Sequence, residues 1–361
     1  MHHLKIAFLA FHDPVKPVNG SGVRIHNLIK LLASAHEVTV LVRSDNDRSY
    51  TYEGIKVVEI SSKVDTTYPI SISYLIRCYK ELRKIGCDTI VAEEAINISH
   101  AFSLARLLKC RSIYDAHNVD SINYFNIARG KPHIWILYYL MELLAAIAFD
   151  RISLVSDIDL NAYKKLFPLH RARLYVIPNG VDCERFVPKP TSAINTCLFF
   201  GSFLYAPNLE AFEQIQVLAA KLPTITFVIA GEGSERLQKE KKDKVDNLKI
   251  LGKVADIVQT IQASNCVVVP LSQGSGTRLK ILEAMACGKP VITTPKGAEG
   301  LDLKNGEEAI VCDLYSFNSN IMKLLQDDRM QESISKAARE RAINEYDWKA
   351  IEAKLRAAFV P

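Results

Sequence analysis

The sequence of 361 residues lacks several features that would place it in a specialised class of protein. Its eight cysteines form no C-x-x-C pair and have no histidine at metal-ligand spacing, which argues against a zinc site and against a disulfide framework. The formal net charge of +5 comes without a dense basic stripe, so nucleic-acid binding is not expected. A mild positive balance suits an anionic small molecule or an anionic membrane surface. We expect a reducing, cytoplasmic setting, with the inner face of the membrane as an alternative.

The sequence also has no apolar run long enough to cross a bilayer. The N-terminal MHHLKIAFLAF leads into a glycine loop and not into a cleavage site, so it is predicted to be a first buried strand and not a secretion signal. The longest apolar stretch, His133 to Asp150, is shorter than the roughly 20 residues of a membrane span and carries Glu142. A buried helix is the favoured interpretation, and a helix lying on a membrane is the alternative.

Short apolar runs alternate with amphipathic helical patterns along the chain, and this alternation predicts parallel sheets covered by helices on both faces. KIAFLAF, EVTVLVR, TIVAEE, RSIYDAH and RISLVS are strand-like in the first half, and TCLFFGS, TFVIAGEG, LKILGKV, CVVVPLS and PVITTP in the second. A proline-rich stretch with an Asn-Gly turn, 175–196, separates the two sets. We expect an α/β protein with Rossmann-like domains at 1–178 and 179–345, facing each other, followed by a last helical segment at 346–361.

Ligands of open parallel sheets bind beyond the carboxyl ends of the strands, so the loops at those ends are the candidate sites. After the first strand, Gly20 and Gly22 precede a helix, where backbone N–H groups can approach an anion, although a structural turn explains them equally well. The spacing is not that of a dinucleotide-binding loop, since a third glycine is absent. Asp115, His117 and Asn118 end another strand, as a site or as a satisfied polar cluster.

The most informative of the predicted loops lies in the segment SQGSGTRLKILEAMACGKPVITT. Its helix is expected to begin near Thr277, with Arg278 and Lys280 at the amino end, where cations are locally unfavourable unless an anion binds there. Lys280 and Glu283 share one helix face. We predict that the amides and cations hold a diphosphate while Glu283 accepts hydrogen bonds from ribose hydroxyls. The alternative is that Lys280 and Glu283 are a surface ion pair.

Several motifs in fixed order resemble one family over nearly the whole chain. They are NGSGVR, HEVTVLV, DAHN, MELLAAIAFDRISLVS, VIPNGVDCERFVP, GSFLYAPNLEA, IAGEG, LGKV, GSGTRLKILEAMACGKPVITTPKGAEGL and YDWKAIEAKL. This pattern is similar to that of the retaining, nucleotide-sugar-dependent glycosyltransferases of the GT-B fold (glycosyl transferases group 1, family 4). The resemblance implies two Rossmann-like domains across a cleft, a C-terminal helix that crosses back to the first domain, and transfer of a hexose to an acceptor hydroxyl in cell-surface glycan, glycolipid or polysaccharide synthesis.

The resemblance also implies roles for individual residues. The catalytic residues would be His117, Arg278 and Lys280. The donor would be bound by Gly22, Gly201, Gly231, Val254, Ser275, Gly276, Thr277 and Glu283, and the acceptor side would include Gly20, Arg24 and Asn118. The partners would be a nucleotide-sugar donor and a glycan or lipid-linked acceptor, with peripheral membrane association as an additional expectation.

Two departures from the family pattern limit what carries over. The family commonly has a second glutamate eight residues before the ribose-binding one, but Ser275 stands there. The usual Arg and Lys pair after the first strand of the second domain is replaced by GSFLYAPN, so the sugar and nucleotide of the donor do not carry over. No Asp-x-Asp motif lies in a suitable loop, and the cations replace a metal, so we expect no metal and no cofactor. A nucleotide-sugar epimerase and a non-catalytic nucleotide-sugar-binding subunit are the alternative functions.

Overall fold

The chain divides into two compact units. A computed structural model describes residues 3–15, 19–62, 70–127, 132–190, 195–238, 245–274 and 278–360. The first unit is Met1–Pro178 together with Ile351–Pro361, and the second is Asn179–Ala350. Each unit has its own hydrophobic core and its own sheet.

The first unit contains an eight-stranded sheet in the order β3-β4-β2-β1-β5-β6-β7-β8, parallel except for the antiparallel pair of β3 and β4. Its strands are β1 Lys5–Ala10, β2 Glu37–Ser44, β3 Arg48–Tyr52, β4 Ile55–Ser61, β5 Thr89–Glu93, β6 Arg111–Asp115, β7 Arg151–Leu154 and β8 Arg173–Val176. Its helices are α1 Gly20–Ala33, α2 Ile72–Ile85, α3 Ile98–Leu108, α4 Asp120–Ile127, α5 Pro132–Ala148 and α6 Asp157–Leu166. Because strand order reverses between β1 and β5, a ligand site is expected beyond these two strand ends.

The second unit contains a six-stranded parallel sheet in the order β11-β10-β9-β12-β13-β14. Its strands are β9 Thr196–Phe200, β10 Thr226–Ala230, β11 Leu248–Ile250, β12 Cys266–Val269, β13 Val291–Thr293 and β14 Ile310–Val311. The helices after β9 along the chain are α7 Ala206–Lys221, α8 Ile257–Gln262, α9 Leu279–Ala286, α10 Pro295–Ala298, α11 Phe317–Gln326, α12 Asp328–Arg341 and α13 Trp348–Phe359. Most of α13 belongs to the first unit. Strand order reverses here between β9 and β12, the strand that leads towards α9.

The ten strand-like runs predicted from the sequence are all strands, and the α/β fold class is confirmed. The prediction missed β3, β4, β8 and β14. Strand β3 is exposed at the sheet edge, so its sequence RSYTY shows no buried pattern. Strand β8 reaches Val176, inside the stretch that was interpreted as a connection.

The predicted helix at His133 to Asp150 is α5, and the buried interpretation was correct for one face only. Glu142 and its neighbours on that face are buried, whereas Ile136, Leu140 and Ile147 are 46%, 54% and 47% exposed. Within the residues that the structure describes, no helix has both the length and the apolar character needed to cross a membrane.

The last helical segment contributes to the core of the first unit. The Phe359 ring stacks on Phe8 of β1 with a centroid separation of 6.0 Å. Arg151 of β7 donates from Nη1 to the carbonyl oxygens of Ala358 and Val360, at 2.9 and 2.7 Å. This end of α13 therefore belongs structurally to the first sheet.

Candidate functional site

The amino end of α9 lies beyond the carboxyl end of β12, where strand order reverses. The helix begins at Leu279, two residues later than predicted, because Arg278 has non-helical dihedrals and is the N-cap. The expected donor contacts Ser275, Gly276 and Thr277 fall outside the described residues.

Lys280 is the most strongly perturbed cation of this site. Its Nζ donates to Asn208 Oδ1 at 2.8 Å and lies 4.2 Å from the centroid of the Phe199 ring. Burial and the neighbouring Arg278 lower the pKa of Lys280 to about 7, with Glu283 acting in the opposite direction. A lysine held this way gains a full charge when an anion binds beside it.

Glu283 lies one turn along α9 from Lys280 and is partly buried. Burial raises the pKa of its carboxyl to about 7, although Arg185 and Lys280 oppose the shift. Lys280 Nζ donates to Asn208, and among the described residues Lys280 and Glu283 form no ion pair with each other. The alternative that they are a surface ion pair is therefore wrong. The Glu283 carboxylate has no hydrogen-bond partner among the described residues, and it can accept one from a ligand hydroxyl.

Arg278 is buried at the N-cap of α9, with 8% of its surface exposed. Burial lowers the pKa of its guanidinium, while Tyr205 and Glu299 oppose the shift. A Cβ on Gly274 would lie 3.0 Å from Arg278 Nη2 and 3.1 Å from Tyr205 Oη. The guanidinium is therefore fixed between the loop that follows β9 and the loop that precedes α9.

Gly201 and Gly231, two of the predicted donor-binding residues, pack the ends of β9 and β10 tightly. The Gly201 N–H donates to Ala230 O at 3.0 Å, and the Gly231 N–H donates to Gly252 O at 2.8 Å. Both amides are used inside the protein. A Cβ on Gly231 would lie 2.0 Å from Gly201 O, and a Cβ on Gly201 would lie 2.9 Å from Lys280 Nζ. Gly201 makes room for the lysine, Gly231 makes room for the Gly201 carbonyl, and the N–H groups of both already have partners within the protein.

Val254, another predicted donor-binding residue, is partly buried and packs against the hydrophobic core of the second unit. Its neighbour Gly252 accepts the Gly231 N–H and has φ +73. The segment from Gly252 to Val254 follows β11, so it lies where the carboxyl ends of the parallel strands meet, as does the amino end of α9.

In the first unit, the glycine loop forms a helix start and not an open anion cradle. Asn19 is the N-cap of α1, and its Oδ1 accepts the Gly22 N–H at 2.8 Å. The Gly22 amide is therefore already satisfied, which corrects its predicted role as a donor contact. Gly20 is exposed at the first position of α1, as an acceptor-side residue would require.

Arg24 cannot act on the acceptor side as predicted, because its guanidinium is buried in the sheet. Nε and Nη2 donate to the two carboxylate oxygens of Asp115 at 2.9 and 2.8 Å. Nη1 donates to Ile177 O at 3.0 Å. Only 1% of Arg24 is exposed, so it fixes Asp115 and the end of the first unit.

His117 is surrounded by three carboxylates at the ends of β5 and β6. Its Nε2 lies 3.3 Å from Glu93 Oε1 and 3.4 Å from Asp115 Oδ2, and its Nδ1 lies 3.5 Å from Glu94 Oε1. Burial would lower the pKa of His117, but its contacts with Asp115, Glu93 and Glu94 raise it well above the usual value. Asn118 beside it is partly exposed, and its Oδ1 has no hydrogen-bond partner in the described structure.

Two acids quoted for the family resemblance have structural roles. The buried Glu142 of α5 accepts from the backbone N–H groups of Asp120 and Ser121 at 2.8 and 3.0 Å, and so caps α4. Asp150 accepts from the N–H and hydroxyl of Ser112 at 2.8 and 2.9 Å. Both hold the elements that flank the strand end of His117.

Sequence reasoning missed Glu93, Glu94, Asn208 and Tyr205. Glu93 and Glu94 end the strand-like run TIVAEE. Acids at the carboxyl end of a strand are a signal for a site, but these two were interpreted only as the end of the strand. Asn208 and Tyr205 had no comparable signal, because their contacts depend on how α7 packs. Among the described residues, no group of three or more His, Cys, Asp or Glu side chains is arranged to hold a metal ion.

Comparisons with known proteins agree with this arrangement. Residues 18–185 match the family described as Glycosyltransferase Family 4, and residues 195–327 match the family described as Glycosyl transferases group 1. Anabaena Alr3699/HepE, solved in complex with UDP and glucose, has a TM-score of 0.78 at 18% identity, covering 98% of this chain and 99% of that chain. The fold is therefore that of the GT-B glycosyltransferases.

Two curated relatives extend the match in sequence. Glycogen synthase of Mycobacterium tuberculosis is 23% identical over 386 residues, covering 96% of this chain and 92% of the relative. The UDP-Gal:alpha-D-GlcNAc-diphosphoundecaprenol alpha-1,3-galactosyltransferase of Escherichia coli is 26% identical over 295 residues, covering 76% of this chain and 75% of the relative. The chain therefore carries a Glycosyltransferase Family 4 domain in its first half and a Glycosyl transferases group 1 domain in its second half.

Proposed function

We propose that this glycosyltransferase moves a hexose from a nucleoside-diphosphate sugar to an acceptor hydroxyl, with retention of the anomeric configuration. The observation that carries the proposal is the amino end of α9, where Arg278 and Lys280 lie beside Glu283. The two cations suit a diphosphate, and the carboxylate, which bonds to no described residue, suits vicinal hydroxyls of a ribose. The Escherichia coli relative, named for UDP-Gal, and the Anabaena protein, solved with UDP and glucose, support a nucleotide-sugar donor.

The proposed chemistry needs charge stabilisation at the departing phosphate. As the anomeric bond breaks, negative charge builds on the phosphate and positive charge builds on the sugar ring. Arg278 and Lys280 are placed before the reaction begins, and they stabilise the phosphate most when its charge is greatest. We propose that these cations make a metal unnecessary. The polar cluster of the first unit around His117 is the proposed contact for the sugar.

Replacing Lys280 tests this function directly. Lys280→Ala is expected to lower turnover by about 10²–10³, as for the loss of one oxyanion-stabilising donor, while the fold is retained. Lys249→Ala, at an exposed lysine of β11, is the control and is expected to transfer sugar at the wild-type rate. Equal turnover of Lys280→Ala and wild type would refute the assigned role. Thermal stabilisation by a panel of nucleotide sugars identifies the donor.

The same assays separate the alternatives. An epimerase would convert the donor sugar with no acceptor present, which sugar analysis detects. A non-catalytic binding subunit would be stabilised by the donor yet would neither hydrolyse it nor transfer the sugar.

We further propose that the acceptor is lipid-linked and that the exposed face of α5 meets the membrane. Ile136, Leu140 and Ile147 lie along this face, each about half exposed. Such a stripe suits a helix that rests on a bilayer surface. Leu140→Glu should reduce co-sedimentation with phosphatidylglycerol vesicles. Val217→Glu is the matched control, at an apolar side chain of α7 that is 49% exposed, and equal losses for both variants would contradict the proposal.

A further inference from the structure

Glu94 has a backbone conformation that non-glycine residues rarely adopt. It follows β5 directly, with φ 60° and ψ 157°. This region is populated almost only by glycine and is energetically unfavourable for a residue with a side chain. Such strain persists when the surrounding structure holds the residue in place, and it is frequent at functional sites.

The strained backbone places the Glu94 carboxylate among side chains from three different elements. Oε1 lies 3.5 Å from His117 Nδ1, and Oε2 lies 3.7 Å from Nε2 of His12, in the loop after β1. The Ser21 hydroxyl at the start of α1 also contacts the carboxylate. The Glu94 N–H donates to Asp115 O at 3.1 Å, which fixes the strained position. These elements surround the point where strand order reverses.

His117 is less available to a ligand than Glu94. Both of its ring nitrogens face carboxylates, Nδ1 towards Glu94 and Nε2 towards Glu93 and Asp115. Only 7% of the His117 side chain is exposed, against 20% for Glu94. The imidazole is thus paired by charge with three carboxylates, although neither of its nitrogens forms a hydrogen bond in the described structure, and part of the Glu94 carboxylate remains open.

The charges of the cluster favour an ionised Glu94. Burial raises the pKa of Glu93 to about 8, so Glu93 is mainly protonated at neutral pH. Burial would also raise the pKa of Glu94, but its contacts with His117 and His12 lower it to about 2. Asp115 is neutralised by the buried Arg24.

Two further acids face this cluster from the neighbouring helices. They are Asp120 at the start of α4 and Glu142 of α5, and burial raises the pKa of both. Burial therefore reduces the negative charge that these two acids place beside Glu94, although Glu142, with its pKa raised to about 7, keeps part of its charge at neutral pH.

We propose that Glu94 is the side chain of this cluster that touches a sugar, accepting a hydrogen bond from one of its hydroxyls, with His117 as the positioning residue that holds the carboxylate. This assignment rests on the proposed glycosyl transfer and moves the direct sugar contact from His117 to Glu94. An ionised carboxylate also stabilises the positive charge that builds on the ring during transfer.

The experiment pairs side-chain variants with deoxygenated sugars. Glu94→Gln is expected to lower turnover by about 10²–10³ without changing the affinity for uridine diphosphate, because the cations of α9 bind the nucleotide. For the wild type, a sugar without the bonded hydroxyl should lose roughly 10–150-fold in kcat/KM. This penalty should shrink in Glu94→Gln, whose neutral amide oxygen is a weaker acceptor, should vanish in Glu94→Gly, which has no side-chain acceptor, and should persist in His117→Gln. Deoxygenated donors and deoxygenated acceptors, tested separately, show which sugar carries the hydroxyl.

The control is Glu53→Gln, at another glutamate with positive φ, which pairs with Lys30 on the surface. It should behave as the wild type. Glu94→Gly covers the case in which Glu94→Gln does not fold, because glycine adopts these dihedrals without strain. If the hydroxyl penalty persists in Glu94→Gly, or vanishes only in His117→Gln, the assignment to Glu94 is overturned.

A spectroscopic readout distinguishes failure of this inference from failure of the proposed function. In ¹⁵N-histidine NMR of the wild type, His117 should stay protonated well above pH 6.5. Loss of the Glu94 charge should lower its pKa, because a neighbouring negative charge stabilises the protonated imidazole. An unchanged His117 titration in Glu94→Gln overturns the pairing, whether or not the protein transfers sugar. If His117 titrates as predicted in the wild type and in Glu94→Gln, but the wild type turns over no nucleotide sugar, the result counts against the proposed function and not against the pairing.

Discussion

Donor binding should weaken sharply as pH rises above neutrality, and Lys280 is the reason. In the free protein, burial and Arg278 lower the pKa of Lys280 to about 7. A bound diphosphate beside Nζ restores the charge and raises this pKa, so binding takes up a proton wherever the free lysine is neutral. The contribution of Lys280 to the affinity is therefore greatest below pH 7 and falls as pH rises above it.

The size of the effect follows from the same pKa. If the bound lysine stays protonated up to pH 9, the dissociation constant of uridine diphosphate rises about 50-fold between pH 7 and pH 9, or about 2.3 kcal/mol. Glu283 acts in the opposite direction, because burial raises the pKa of its carboxyl to about 7 and a ribose needs it ionised. Its remaining ionisation above pH 7 strengthens binding by only about twofold.

Calorimetry tests this prediction. Titration of uridine diphosphate into the protein at pH 7, 8 and 9, in buffers of different ionisation enthalpy, gives both affinity and proton uptake. Lys280→Arg should remove the pH dependence, since a guanidinium stays charged throughout this range. A wild-type affinity that is flat from pH 7 to 9, or a pH slope that persists in Lys280→Met, would refute the reasoning.

Two predictions concern stability. Arg24→Met should lower the free energy of unfolding by about 3–5 kcal/mol in urea titrations, because it leaves Asp115 buried without its partner; a loss below about 1 kcal/mol would contradict the structural role. Gly231→Ala should cost roughly 2–6 kcal/mol, since its Cβ would lie 2.0 Å from Gly201 O at φ +133. Gly54→Ala, with φ +81 and open space around it, should lose only about 1–2 kcal/mol, and equal losses at the two glycines would disprove the packing argument.

The sequence was sufficient for the sheets and for the approximate location of the site, but not for the role of each residue. Buried parallel strands such as CVVV and the glycine-rich loops at their ends are local signals. The contacts of Arg24 are not local, because its partner Asp115 lies 91 positions away. Asn208 reaches Lys280 across 72 positions for the same reason. Only packing could show that Arg24 is buried in the sheet and that Lys280 is held by an amide and a ring.

Glu94 illustrates a different limit. Its carboxylate is directed by one unusual pair of dihedrals, and nothing in the letters TIVAEE indicates that the second glutamate turns back towards the strand end of His117. The sequence pattern showed that acids end this strand. The strained backbone shows which of the two carboxylates remains open.

A crystal structure with bound uridine or guanosine diphosphate would decide whether the amino end of α9 is the nucleotide site. We expect diphosphate oxygens within hydrogen-bond distance of Lys280 Nζ and the Arg278 guanidinium, and both ribose hydroxyls bonded to Glu283. A nucleotide bound away from the amino end of α9, or a Glu283 carboxylate that touches no part of it, would contradict this assignment.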